Sequence, residues 1–273
     1  MPNRLRCKQN YAKVKLELGV SPVCYEEIIA IWRQKHIRTA ADIACEMNGN
    51  GAAFIYHSAK IENDNITYHD TREIFDHGGV TGYTGDVRSL FEIQNSVAAY
   101  YWMLDAFEHR EPMNETLICE FQCLLTQGTY DTLRYQKGER TGAYKRNDYV
   151  TGRNEVGALP EDVPEELSEL VSELDGIGPE QALTAAAYFH AKFENIHPFA
   201  DGNGRAGRLL MNYLLLLWDH PPIIIHEEDR RDYYAALERF DAAQSLEPLM
   251  EFLRAQTVKT WKDRFERAQK RKH

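Results

Sequence analysis

Cysteine is sparse in this chain of 273 residues, and the five present, Cys7, Cys24, Cys45, Cys119 and Cys123, are odd in number and form no C-x-x-C pair. That argues against a disulfide framework and a finger-type zinc site, and predicts reduced thiols in a cytosolic protein. Cys119 and Cys123 can share a helix face, but without a nearby histidine pair they read as core residues rather than metal ligands. Long apolar runs are lacking too. The longest, LLMNYLLLLW at 209–218, is half of the ~20 residues that cross a bilayer. The opening MPNRLRCKQNYAKVK has no apolar stretch of the signal-peptide kind, so the expected location is the cytoplasm, without membrane contact. Positive charge is in deficit, with 32 Lys and Arg against 42 Asp and Glu and a net charge of -10, which disfavours nucleic acid as a partner. Basic residues gather in 1–20 and after Gln256, and the acids lie inside the chain, notably Glu161, Asp162, Glu165, Glu166, Glu169 and Glu173. The tail KTWKDRFERAQKRKH mixes signs at helical spacing and reads as a solvated helix.

What is present is a helical pattern over nearly the whole chain, without repeats or low-complexity segments. The periodicity predicts helices over 24–36, 39–47, 51–62, 69–76, 86–109, 114–127, 162–174, 179–195, 203–218, 229–241 and 245–269. Start signals stand at Thr39, Asp70 and Gly178-Pro179, and stop signals at Gly78-Gly79, Gly128 and His220-Pro221-Pro222. The exception is 129–160, rich in glycine and tyrosine with weak alternation, which reads as a short β-hairpin or flap, or else as a linker between two helical halves. With 43% apolar and 27% charged residues the chain has the composition of a globular protein with a full core.

Between two of these helices lies HPFADGNGRAGR, His197 to Arg208. A connecting loop needs one glycine or proline, not a histidine, an acid, a Gly-Asn-Gly and two arginines. The first N–H groups of a helix lack internal partners and carry partial positive charge, and flanking glycines let an anion approach the backbone. Gly202-Asn203-Gly204 provides that opening, and Arg205 and Arg208 add guanidiniums whose forks match phosphate oxygens. Asp201 can hold one Mg²⁺ whose other ligands are phosphate and water. His197, when neutral, can take a proton from an incoming hydroxyl. A histidine before proline is usually structural and a lone G-N-G is usually a turn; only the combination carries the chemistry of transferring a phosphate-linked group to an alcohol. Phe199 reads as the residue that pins the loop to the core.

The loop matches H-x-F-x-[D/E]-G-N-G-R-x-x-R at every fixed position, a coincidence of roughly 10⁻⁸ at average residue usage. It resembles the signature of the Fic family. The surrounding AAAYFHAKFENIHPFADGNGRAGRLLMNYLLL is similar to that family's paired central helices, and RRDYYAALERF to a downstream one. The resemblance covers about residues 50–255. It implies an all-α Fic (Fido) fold with a β-hairpin flap, and a protein adenylyltransferase that moves AMP from ATP to Ser, Thr or Tyr hydroxyls of a target protein, itself included. It divides the chain into an N-terminal helical extension over 1–50, a catalytic domain over 51–255 and a basic helical tail over 256–273. By the same resemblance His197 is the base and Asp201 holds Mg²⁺ or Mn²⁺ between the α- and β-phosphates. Asn203, Gly204 and Arg205 stabilise the transferring phosphoryl group, and Arg208 binds the γ-phosphate. Tyr233 and Tyr234 fall where the family lines its adenine pocket, though a tyrosine pair on a helix is as readily core.

Upstream, SAKIEN, Ser58 to Asn63, matches the family's inhibitory pattern [S/T]-x-x-x-E-[G/N]. The resemblance implies that Glu62 pairs with Arg208 and so denies it to the γ-phosphate, until the helix bearing Glu62 moves under the influence of self-association, metal or modification. The flap, nominated as Tyr144 to Glu155 with Tyr144, Tyr149 and Thr151 facing the target, would pair with an extended target segment through exposed backbone. Two other readings stand beside this one: a related enzyme that uses another phosphate donor or removes AMP, and a nucleotide-binding regulator without catalysis.

Overall fold

A computed structural model describes residues 24–47, 49–149 and 156–270. The order of helices is α1 (Tyr25–Gln34), α2 (Ala40–Glu46), α3 (Gly51–Glu62), α4 (Tyr68–His77), α5 (Val87–His109), α6 (Glu115–Thr126), α7 (Thr132–Gln136), α8 (Val163–Ser172), α9 (Ala182–Ile196), α10 (Asn203–Leu217), α11 (Arg230–Ala243) and α12 (Glu247–Lys270). Short 3-10 turns, Pro179–Gln181 and Glu227–Asp229, lead into α9 and α11. The chain is all-α over the described residues. Local chemistry sets many of the ends. Thr39 accepts from Asp42 N while the Asp42 carboxylate accepts from Thr39 N, at 3.1 and 2.9 Å, and Asp86 and Asn114 cap α5 and α6 through Ser89 N and Leu117 N. Gly78 closes α4 in the left-handed conformation, at φ 75°.

Helix α10 is the axis of the molecule. Every residue from Arg205 to Leu216 is buried, so this helix is surrounded by α9, α6, α5 and α3 rather than lying on the surface. That is why its sequence beyond Arg208 is apolar nearly all round instead of striped, with Asn212 the polar exception. Helix α3 packs on α4 and α5 and touches α10, which brings the Ser58–Glu62 turn to the N-terminal end of the central helix.

Among the described residues of 129–160 no strand ladder is seen; the segment begins with the short helix α7, followed by turns, with a single bridge residue at Val156. Asp131 caps α7 through Arg134 N at 2.8 Å, and the buried Glu139 carboxylate accepts the backbone N–H groups of Arg146 and Asn147 at 3.2 Å. In the described part, side chains satisfy the turn backbone in place of a ladder. The nominated stretch from Val150 to Glu155, with Thr151, lies outside the described residues. One expectation changes, and it concerns the tail. Helix α12 runs unbroken through residue 256, and Trp261 and Phe265 on it are fully buried, Trp261 edge-on to Trp32 of α1 at 5.1 Å. The charges sit on the other face, so the alternating signs conceal an apolar stripe that clamps α1 to the body.

Trp261 also donates its indole N–H to Pro222 O at 2.7 Å. Trp261→Ala should therefore lower unfolding free energy by about 3–5 kcal/mol, read from urea denaturation. A loss below about 1 kcal/mol, the range of exposed surface substitutions, would show that α12 and α1 are not part of the cooperative fold.

Candidate active site

The His197–Arg208 loop joins α9 to α10. Helix α9 stops because His197 takes the left-handed conformation, φ 50°, with its N–H still on Phe193 O at 3.0 Å. Phe199 is fully buried near Phe193 and Tyr144 and anchors the loop as expected. Asn203 brackets that anchor: its amide oxygen accepts from Phe199 N at 2.9 Å and its amide nitrogen donates to Phe199 O at 2.7 Å. Both ends of the Asn203 side chain are thus engaged by the loop itself, and its contribution here is to shape the turn rather than to face a ligand. Gly202, at φ 83°, precedes α10 in a conformation costly for other residues, and a Cβ there would meet the Thr126 methyl at 2.6 Å. Gln122 of α6 ties the loop down, donating to Asp201 O at 2.9 Å and accepting from Gly142 N at 2.6 Å.

His197 is mostly enclosed, and its Nδ1 is buried without a hydrogen-bond partner. Burial first, and the Lys145 ammonium second, push its pKa down to about 4. The imidazole is therefore neutral at physiological pH and retains a lone pair. Lys145 is itself buried, with its N–H on Pro198 O at 2.9 Å and its ammonium on Tyr149 O at 3.3 Å, so the base of the flap segment and the loop form one unit.

The two signature arginines differ. Arg208 is 3% exposed and pairs with Glu62 at 2.8 Å. Its Nε donates to Ser58 Oγ at 3.1 Å and its Nη2 to Ser58 O at 2.8 Å, while Nη1 is buried without a partner. The Glu62 carboxylate lies so close over Gly204 that any side chain there would collide with it. An anion thus already occupies the N-terminal end of α10. Arg205 reaches Leu125 O at 3.4 Å and lies 3.6 Å from Asp201. Asp201 is also contacted by Arg88 of α5 at 2.6 Å and Arg134 of α7 at 3.6 Å.

Behind Arg208 stands a layer the sequence pattern did not single out. His190 Nε2 shares a 2.7 Å hydrogen bond with Tyr233 OH, and its Nδ1 faces Glu194 at 3.9 Å. Burial lowers the His190 pKa to about 3, helped by the Arg208 charge, and burial raises that of Glu194 to about 8. Both shifts favour the neutral forms, and among the described residues Glu62 is the carboxylate paired with Arg208. Of the tyrosine pair, Tyr233 is fully buried in this layer, the core alternative, because its hydroxyl is needed by His190; Tyr234 is 40% exposed on the same side. Tyr144 is half-buried with its hydroxyl on Glu115 at 2.7 Å. Arg88, Glu92, Arg134, Lys145, Gln122 and Glu194 all enter the site without a motif. The i,i+4 spacings of Arg88 with Glu92 and of His190 with Glu194 identify helix faces rather than a destination.

The described residues form an all-helical body that brings the neutral His197 imidazole, the Asp201 carboxylate and the buried Arg208 with its Glu62 partner to one helix N-terminus, an arrangement suited to anions. A family model described as Fic/DOC matches residues 112–215, the stretch that holds the loop and the two helices it joins. It is 32% identical over 212 residues to protein adenylyltransferase Fic of Nematostella vectensis, across 76% of this chain and 47% of that protein. It is 31% identical over 216 residues to the protein of the same name from Culex quinquefasciatus, across 76% and 40%. The chain thus spans less than half the length of these relatives. Among solved structures, Fic-1 from C. elegans superposes with a TM-score of 0.72 at 22% identity over 99% of this chain and 77% of that one. A Fic domain containing signaling protein from Bacteroides thetaiotaomicron gives 0.71 at 24% identity over 86% and 94%. The fold is the Fic fold.

Folding lowers the His197 pKa from 6.5 to about 4. The stability that its neutral form contributes is therefore complete above pH 6.5 and lost as pH falls through about 4. Imidazole NMR should show His197 unprotonated at pH 5.5. A titration midpoint near the ordinary value would refute the buried, cation-flanked environment described above.

Proposed function

We propose that the protein is an adenylyltransferase that moves AMP from ATP to a Ser, Thr or Tyr hydroxyl of a protein, and that Glu62 restrains it. The observation that carries this reading is the neutral, unpartnered His197 imidazole on the same loop as the α10 N-terminus and Arg208. The names of the relatives from N. vectensis and C. quinquefasciatus support it. In the reaction the target oxygen attacks the α-phosphorus, His197 accepts the hydroxyl proton, and the bond to the β-phosphate breaks to release pyrophosphate. Arg205, Gly204 and the first N–H groups of α10 meet the charge on the phosphoryl group, Arg208 grips the γ-phosphate, and Asn203 keeps the loop in shape for both. Tyr234, exposed on the Arg208 side, is the member of the tyrosine pair placed to meet the base.

The residues fit a hard divalent cation. Asp201 supplies one oxygen-donor carboxylate, 18% exposed at the edge of the anion site, and no cluster of three ligating side chains occurs among the described residues. That set suits Mg²⁺ or Mn²⁺, which keep waters and phosphate oxygens as their remaining ligands. When bound, the ion would neutralise phosphate charge. Residues 51–255 would form the catalytic unit in a cytoplasmic protein, with 1–50 as an extension and 256–273 as a tail, although the helix spans that last boundary.

Restraint follows from charge. While Glu62 holds Arg208, the γ-phosphate has neither the guanidinium nor room for its own negative charge. Glu62 is the last residue of α3, so glycine there leaves the helix intact. Incubated with ATP labelled on the α-phosphate, Glu62→Gly should label protein at least about tenfold faster than wild type, from the loss of one charge-assisted pair. His197→Ala, Arg208→Ala and Glu62→Gly/Arg208→Ala should all be inactive. Label from the γ-phosphate would indicate phosphorylation instead. A folded Glu62→Gly protein no faster than wild type would remove the restraint, and activity in His197→Ala would remove the mechanism.

A further inference from the structure

The three guanidiniums around Asp201 come from three helices and are not equivalent. Arg205 is buried and also reaches Leu125 O; Arg134 lies at 3.6 Å and is held by Asp131 at 2.9 Å. Arg88 makes the shortest contact, 2.6 Å to Oδ2, yet its side chain is 41% exposed. Its Nε is braced by Glu92 at 3.0 Å. The same Glu92 accepts from Asn63 Nδ2 at 2.7 Å, directly after Glu62 in the chain. A swing-capable positive charge is therefore parked on the carboxylate and linked through Glu92 to the turn that blocks Arg208.

We propose that Arg88 is an internal cation that occupies the metal position at Asp201 and must leave before a divalent ion binds. The inference rests on the assignment of Asp201 as the metal-holding carboxylate. A guanidinium hydrogen-bonded to Oδ2 takes the lone-pair face that an ion needs, and two cations cannot share that face because their repulsion at contact is not offset by one negative charge. The arrangement is the mirror image of the one at Arg208. There an internal carboxylate stands where the terminal phosphate belongs; here an internal guanidinium stands where the metal belongs. Each half of a metal–nucleotide complex has its own stand-in, supplied by α3 and α5. Because the Arg88 pair is partly exposed, it is weak enough to be displaced, and Glu92 remains to hold the guanidinium once it leaves.

The test is direct metal binding rather than turnover. Mn²⁺ is titrated into the nucleotide-free protein and free ion is followed by electron paramagnetic resonance, with thermal melts confirming that each variant is folded. Arg88→Ala should bind Mn²⁺ about three- to tenfold more tightly than wild type, the size expected from removing a partly exposed competing pair. Arg88→Ala/Asp201→Asn should lose that binding. A purely structural role for Arg88 would show as a lowered melting temperature without tighter binding. Unchanged, weaker or unmeasurable binding by folded Arg88→Ala overturns the proposal. If the double variant binds as tightly as Arg88→Ala, the ion is not held by Asp201 and the metal assignment falls with it.

Discussion

A guanidinium cannot be buried at the centre of a helical body without partners, and most of this site follows from how Arg208 finds them. It lies 3% exposed one turn into α10, and its donors go to the last turn of α3, to Ser58 and Glu62. Burial favours the neutral forms of the flanking His190 and Glu194, and the carboxylate paired with Arg208 is Glu62. Removal of one partner of a buried pair leaves the other uncompensated. Helix α3 is consequently held against the central helix by this ion pair. Architecture and the proposed restraint would share one interaction.

The loop between α9 and α10 obeys a related constraint. An anion site at a helix N-terminus needs backbone N–H groups that are open and a turn that does not collapse onto them. Phe199 sinks into the core, Asn203 fastens the turn to it from both ends, and Gly202 takes a conformation that other residues resist. His197 is positioned by the left-handed end of α9, and burial first, with the Lys145 ammonium from the 129–160 segment second, keeps its pKa low. The placement of that segment and the protonation of His197 are therefore physically connected.

Charge pairing at Asp201 complements that at Arg208. The carboxylate is met by guanidiniums of α5, α7 and α10, while Arg208 is met by a carboxylate of α3. Internal pairing of this kind keeps highly charged groups from solvent-exposed disorder and from each other. It also makes a charged ligand a competitor of the protein's own side chains.

Local information was enough for much of this. Helix existence and most ends are legible because 3.6-residue periodicity and caps such as Thr39 and Gly78 act within a few residues of themselves. The loop is legible because its chemistry is contiguous, from His197 to Arg208. SAKIEN was legible as a pattern, and its partner only through resemblance. The 129–160 segment was legible as irregular, but not in its course, since side chains such as Asp131 and Glu139 capping turn backbone give no periodic signal. The tail misled, because Trp261 and Phe265 find Trp32 and α1 only through tertiary packing. Arg88, Arg134 and Glu194 were invisible as site residues for the same reason. Where a charged side chain points is decided by which helices pack together, and a guanidinium on α5 acquires its meaning only when folding brings Asp201, 113 positions later, to 2.6 Å.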